Sequence, residues 1–349
     1  MDPRTRRLAH ADPPLRDRLV TFSVIGAGGW GTAFSRLLAR NGAEVVLWAR
    51  DSERARTIDR ERENRKYLPG VLLPRENLTI TSSLAEAIAA ETLVLAVPSF
   101  AMAALLERIA PLVTGPKTFV NLAKGLDQAS RSTMSELVGR VIPNRPTFTL
   151  SGPCHAEEVG RDVPTAVVLA GKDLDLGKRL QFSFSTPRFR VYLSDDVKGV
   201  ELCSTVKNII ALATGASDGL GYGDNSRGAL ITRGLAEMVR FGRAFGVREE
   251  TFFGLSGVGD LVATCTSVHS RNRAVGFRLG KGESLDAILQ SMEMVAEGVH
   301  ATRVVYELSR EKTIEMPITD AVHRLLYQEA DPLALVDEIM TRAPKREGV

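Results

Sequence analysis

The sequence predicts an α/β N-terminal domain built on a doubly wound parallel sheet, followed by an all-α C-terminal domain. Three observations carry that expectation. A strand, glycine turn, helix, strand unit opens at Thr21; its length of about 30 residues is that of one right-handed βαβ crossover, which implies parallel pairing. Further short apolar, β-favouring runs follow, the earlier ones separated by helix-like stretches. After about Asp195 the strand signals disappear, and the rest reads as helices punctuated by glycine-rich loops.

The elements follow in order. MDPRTRRLAHADPPLRDR, the first 18 residues, is rich in Arg and Pro and lacks the apolar core of a secretory signal, and its three aspartates argue against a transit peptide. Residues 1–19 are expected to be a mobile extension or to follow from a misplaced start. TFSVI (21–25) is the first strand, GAGGWG (26–31) a breaker, and TAFSRLLARNG a helix ending at Asn41-Gly42. EVVLWAR (44–50) is the second strand, and LVLAV (93–97), KTFVNLA (117–123), TFTLS (147–151) and PTAVVLAG (164–171) extend the sheet. The sheet domain is assigned to 20–195 and the helical domain to 196–342, with a tail over 343–349. Helices are expected over 196–216, 227–246, near 260–280, over 284–291 and over 319–342. No internal repeat or low-complexity linker divides the halves, so they are expected to pack closely.

Composition excludes more than it identifies. The 349 residues suffice for two domains. A balance of 45 basic against 42 acidic residues leaves +3 and argues against a dedicated nucleic-acid binder. Cys154, Cys203 and Cys265 lie far apart with no zinc-ligand spacing, so neither a disulfide framework nor a metal site is expected, and a reducing, cytoplasmic setting fits best. The longest apolar run, Leu93 to Leu106, contains Pro98 and Ser99 and is shorter than the ~20 residues a membrane span needs.

Gly26, Gly28 and Gly31 form GxGxxG after a strand and at the opening of a helix, the context of a Rossmann-type dinucleotide site. The first glycine permits the tight turn, the second lets backbone approach a pyrophosphate, and the third allows helix and strand to pack closely. Trp30 occupies a free position of the motif, one turn before Phe34, and is expected to pack beneath the helix while the amides of Gly29 and Trp30 stay open to phosphate. At the end of the second strand stands Arg50, either a solvated loop residue or a partner for a 2′-phosphate or adenine; Asp51 beside it keeps NADH in play.

In DVKGVELCSTVKNIIALATGA, Lys207 falls inside the stripe of Val200, Cys203, Val206, Ile210 and Ala213. It either snorkels to the surface or lines a cleft as a proton donor, with Asn208 beside it to orient a hydroxyl or carbonyl. Asp260 in GVGDLVATC reads as a helix N-cap, as an orienting carboxylate for Lys207, or as both. SRNR (270–273) is a solvated surface or a phosphate clamp. Lys124 in LAKGLD and the SGPCHAEE turn (151–158) both end sheet strands, where open α/β folds bind ligands. Cys154 and His155 are too constrained as neighbours to act as a nucleophile pair.

Taken in order, GAGGWGTA, LAKGL, SGPCHAEE, TVKN, ALITRGLAEM, GVGDLVATC, SRNR, VAEG and EMPIT resemble the bacterial NAD(P)-dependent glycerol-3-phosphate dehydrogenases, over residues 20–330. The resemblance implies reversible hydride transfer between NADPH or NADH and dihydroxyacetone phosphate, giving sn-glycerol 3-phosphate for phospholipid synthesis, without a metal. It implies Lys207 as acid/base, and Lys124, Gly152, Cys154, Asn208, Asp260, Ser270, Arg271 and Asn272 as substrate positions. Gly26, Gly28, Gly29, Trp30, Gly31, Arg50, Ala156, Val295 and Glu297 fall on cofactor positions, with Lys124 and Arg271 serving both ligands. The phosphate would be held by Arg271 and Asn272. Lys124 and Arg271 would lower the pKa of Lys207 and Asp260 would raise it, which leaves the net direction open. A homodimer formed through the helical half is also implied. Two positions depart from the family pattern: Cys154 stands where Ser or Thr is general, and Gly29 where Ser is common. A two-domain 3-hydroxyacid dehydrogenase would not need SRNR, and a non-catalytic nucleotide sensor would leave Lys207 unexplained.

Overall fold

Ten strands define the frame of the computed structural model, which describes residues 21–344 and 346. The extension expected over 1–19 lies outside the described residues, and the tail expected over 343–349 is described only at 343, 344 and 346. The strands are β1 (Thr21–Ile25), β2 (Glu44–Trp48), β3 (Glu63–Asn64), β4 (Leu68–Leu72), β5 (Leu78–Thr81), β6 (Thr92–Leu95), β7 (Thr118–Asn121), β8 (Thr147–Ser151), β9 (Thr165–Gly171) and β10 (Phe189–Ser194). Eight of them form one sheet in the order β10-β9-β8-β7-β6-β1-β2-β5, and β3 and β4 form a separate antiparallel hairpin.

Strand order reverses between β1 and β6. From β1 the chain proceeds outward to β2 and β5, and from β6 it proceeds the other way to β7 and β8. The connections after β1 and β6 therefore diverge and leave a crevice at the strands' carboxyl ends, the usual ligand position in open α/β sheets. Side chains alternate across the sheet, so Val24 joins the core on one face with Phe22, Phe34 and Leu38, while Ile25 joins the other with Leu93, Leu95 and Phe119.

Several expectations need correction. The pairing is not parallel throughout: β8 and β9 run antiparallel. The only helix between them, Ala156–Gly160, has five residues. At ~1.5 Å rise per residue it cannot span the ~16 Å length of a five-residue strand, so the chain turns back at the same edge instead of crossing over. Both edge strands, β5 and β10, were absent from the expected set, although FRVYLS in β10 alternates buried and exposed at its start. The run expected over 319–342 is two helices, Pro317–Tyr327 and Pro332–Met340, each opening on a proline suited to a first helical turn. The run near 260–280 is also two, Asp260–Thr266 and Arg271–Gly280. The helix Glu297–Glu311 was not expected.

Helix Val197–Gly219, 23 residues long, is the axis of the second domain. It is buried almost all round, so the apolar stripe holding Lys207 is one side of a central helix rather than the inner face of a surface one. Helices Asp224–Ala244, Asp260–Thr266, Arg271–Gly280, Glu297–Glu311 and Pro317–Tyr327 pack around it. Arg271–Gly280 comes closest: a Cβ added at Gly276 would stand 2.0 Å from the Leu212 carbonyl oxygen. That backbone contact brings the SRNR segment towards Lys207.

Candidate active site

The cofactor side begins at the glycine turn. Gly26 sits at φ +128°, and a Cβ at Gly31 would lie 2.0 Å from the Gly26 carbonyl oxygen, so both positions demand glycine for the turn itself. A Cβ at Gly28 would meet nothing within 4 Å. Its glycine is not required by the fold, which leaves an open approach to backbone where a dinucleotide pyrophosphate fits. Helix Gly29–Arg40 starts at once, so the amides of Gly29 and Trp30 belong to its first turn and have no intrahelical acceptor. A Cβ at Gly29 would stand 2.8 Å from the Tyr67 carbonyl oxygen. The β3–β4 hairpin thus approaches the Gly29 backbone closely. Trp30 packs as expected against Phe34, with ring centroids 5.6 Å apart, and also against Phe189 at 6.5 Å.

Arg50 is exposed just beyond β2. Asp51 instead turns its carboxylate to the next helix, accepting from the Arg54 amide at 2.7 Å. Ala156 opens the short helix facing the glycine turn, its Cβ 3.5 Å from where a Gly29 Cβ would be. Partly buried Val295 lies just before helix Glu297–Glu311. Glu297 accepts from the Ser99 amide at 2.9 Å and from the Ser99 hydroxyl, linking this helix to the loop after β6. Burial pushes the Glu297 carboxyl up, against the Ser99 donors and the Arg271 guanidinium.

The candidate reactive centre lies across the crevice. Lys207 is 3% exposed and does not snorkel. Its Nζ donates to Asp260 Oδ1 at 2.8 Å and to Thr264 Oγ1 at 2.5 Å. Lys124, just past the carboxyl end of β7, donates to the other oxygen, Asp260 Oδ2, at 2.8 Å and to the Gly152 carbonyl at 3.0 Å. Asp260 is therefore not a helix N-cap, a place taken by Gly259; it is a buried bridge between two ammonium groups from different domains.

The electrostatics follow from that bridge. Burial brings Lys207 down to about 8, with Asp260 opposing and Lys124 adding to the drop. Lys124 is raised: burial acts against its charge, but Asp260 and the Cys154 thiol outweigh it. Burial would push Asp260 up, yet the two lysines hold it below the usual carboxylate range. The direction left open by sequence is downward, with burial as the largest cause and the opposing Asp260 shared with Lys124. At about 8, its ammonium lies in the range of a group that can exchange a proton near neutral pH. Cys154 lies 3.7 Å from Lys124 Nζ and donates to the Gly152 carbonyl at 3.1 Å. Burial pushes its thiol up, so it is a neutral group at this wall.

Asn208 and Asn272 are turned towards each other. Asn272 Nδ2 donates to Asn208 Oδ1 at 2.9 Å, and Asn272 Oδ1 accepts from the Gly298 amide at 2.9 Å. Ser270 is the N-cap of helix Arg271–Gly280, its hydroxyl accepting from the Arg273 amide at 3.2 Å. The first amides of that helix and the exposed Arg271 side chain remain as anion donors. Thr264, Ser99 and Tyr67 escaped the sequence reading. Asp260 and Thr264 are four apart on one helix, a spacing that could have paired them; Ser99 and Tyr67 arrive from separate loops and leave no local signal. Among the described residues, no group of three or more His, Cys, Asp or Glu could hold a metal ion.

Two family models match the chain. That for the N-terminus of NAD-dependent glycerol-3-phosphate dehydrogenase covers residues 21–176, and that for its C-terminus covers 196–337. Glycerol-3-phosphate dehydrogenase [NAD(P)+] of Pelotomaculum thermopropionicum is 47% identical over 330 residues, 93% of this chain and 94% of the relative. That of Carboxydothermus hydrogenoformans is 47% identical over 94% of this chain and 98% of its own length. The crystal structure of glycerol-3-phosphate dehydrogenase from Coxiella burnetii superposes with a TM-score of 0.89 at 40% identity, covering 93% of this chain and 99% of that one.

Proposed function

The chain belongs to the NAD-dependent glycerol-3-phosphate dehydrogenase family, and from that premise we propose how its own residues interconvert dihydroxyacetone phosphate and sn-glycerol 3-phosphate. It is an oxidoreductase that uses NAD(P), with NADPH or NADH as the reduced form. One observation supports the residue assignment above the others: Lys207 and Lys124 share the two oxygens of buried Asp260 at the sheet's carboxyl edge.

Gly26, Gly28, Gly29, Trp30 and Gly31 would hold the cofactor's pyrophosphate, Arg50 its 2′-phosphate end, and Ala156, Val295, Glu297, Lys124 and Arg271 the remainder. When bound, the nicotinamide would supply the hydride that reduces the ketone carbon. As that carbon is reduced, negative charge develops on its oxygen. Lys207 donates its proton there, and Lys124 adds a second cation that stabilises the developing alkoxide. Asp260 keeps Lys207 aimed, and Thr264 fixes its other hydrogen-bonding direction. In the reverse direction the neutral Lys207 amine takes the hydroxyl proton.

Arg271 and the amides of Arg271 and Asn272 hold the substrate phosphate, with Ser270 capping their helix; Asn208 orients the substrate hydroxyl end, and Gly152 and Cys154 form the facing wall. This anchoring sets the reacting carbon against the nicotinamide. The product supplies glycerophospholipid synthesis. Among the described residues no helix is long and apolar enough to cross a membrane; in our reading the enzyme is cytoplasmic and the helical half is its dimerisation surface. The test is Lys207→Ala with dihydroxyacetone phosphate and NADPH or NADH. We expect kcat to fall ~10²- to 10⁴-fold while the cofactor still binds; near-normal kcat would remove Lys207 from the role.

A further inference from the structure

Lys124 and Lys207 reach Asp260 from different domains, and two buried polar residues outside the array join the segments that carry them. Asn121, the last residue of β7, is fully buried and engages its whole carboxamide. Its Oδ1 accepts from the Ala123 amide at 2.9 Å, and its Nδ2 donates to the Ala123 carbonyl at 3.1 Å, so it clamps both backbone groups of the residue before Lys124. Nδ2 also reaches Thr149 Oγ1 at 3.3 Å and Glu201 Oε1 at 3.0 Å.

Glu201 lies on helix Val197–Gly219, less than two turns before Lys207, and is 2% exposed. Its Oε1 accepts from the Ser135 amide at 3.1 Å and hydroxyl at 2.9 Å. Asn208 Nδ2 adds a longer tie to the Lys124 carbonyl at 3.4 Å. Burial pushes the Glu201 carboxyl up to about 6, against donors from Thr133, Ser135 and Asn121. A carboxylate placed there among neutral donors is costly to bury, and an apolar contact would join helix to sheet with less penalty. What an apolar contact cannot supply is direction.

We propose that Asn121 and Glu201 are positioning residues for the acid/base centre: they lock the Lys124 loop to the Lys207 helix so that both ammonium groups meet one carboxylate. Asn is suited to its place because only a carboxamide offers an acceptor to the Ala123 amide and donors to both the Ala123 carbonyl and Glu201. The inference rests on Lys207 as acid/base.

The experiment compares full-length Asn121→Ala, Glu201→Gln and Lys207→Ala with the parent enzyme. NADPH fluorescence titration counts binding-competent sites, and kcat per site for dihydroxyacetone phosphate reduction is followed against pH. With the loop unclamped, kcat per site should fall ~10- to 100-fold while NADPH affinity holds. The alkaline limb should move upward, because the retreating Lys124 no longer depresses Lys207. A merely structural defect would lower the number of sites and leave that limb in place. If Asn121→Ala does not fold, the near-isosteric Glu201→Gln gives the same readouts. A kcat per site within about twofold of the parent, with the limb unmoved, overturns the proposal. If Lys207→Ala retains turnover, the acid/base assignment falls and this inference with it; if it is inactive while both other variants behave normally, only the positioning role falls.

Discussion

Replacing Asp260 with Asn tests the centre most directly. In the native array Asp260 accepts from Lys207 and Lys124 at 2.8 Å each, at a site where all three side chains are largely withdrawn from water. Lys207 stands at about 8 because burial and Lys124 outweigh Asp260. For the parent enzyme the sign is fixed by the reaction: reduction needs the ammonium, so kcat falls as pH rises through about 8, whereas oxidation needs the amine and rises through the same value. Asp260→Asn removes the main influence that raises Lys207. Leaving a buried charge without its partner costs ~3–5 kcal/mol, and the cheapest relief is loss of the Lys207 proton. Since one pH unit is ~1.4 kcal/mol, the alkaline limb of reduction should move to lower pH by about two units or more. Initial rates in both directions, read from nicotinamide absorbance across the neutral and alkaline range, measure this. Parallel profiles in the two directions, or an unmoved limb in Asp260→Asn, would refute the reasoning.

Three further predictions concern the glycine turn and the cofactor. Gly31→Ala places a Cβ against the Gly26 carbonyl and should destabilise the fold by ~1–3 kcal/mol or more in chemical denaturation. Gly28→Ala, with open space at its Cβ, should leave stability within ~0.5 kcal/mol yet weaken NADPH binding ~10-fold or more; unchanged affinity would remove the pyrophosphate from that turn. Arg50→Ala should raise Kd for NADPH ~10- to 100-fold, as expected for losing a charge-assisted hydrogen bond, and affect NADH less. Equal losses would separate Arg50 from the 2′-phosphate.

Much of this protein is legible in its sequence wherever the cause is local. The turn at Gly26 to Gly31 is a matter of backbone sterics and amides at a helix start, both set by neighbours in the chain. The central strands are buried almost throughout because both faces of the sheet are covered, and runs such as LVLAV carry that pattern along the chain. The edge strand β5 is half exposed and gives a weaker signal.

Tertiary structure decided what depends on distant segments meeting. Nothing around Lys207 in the sequence separates a snorkelling lysine from a buried one; Asp260, from another helix, makes burial tolerable, while burial itself and Lys124, from another domain, lower its proton affinity. The antiparallel turn of β9 depended on how far a five-residue helix can carry the chain, and the clamp of Asn121 on Ala123 and Glu201 on three segments folding together. Sequence determined the turn, the sheet and the types of group available for chemistry, because those follow from local sterics and periodicity. The fold determined which groups share a proton and which merely hold others in place, because Coulomb and hydrogen-bond energies depend on distances that only the folded chain defines.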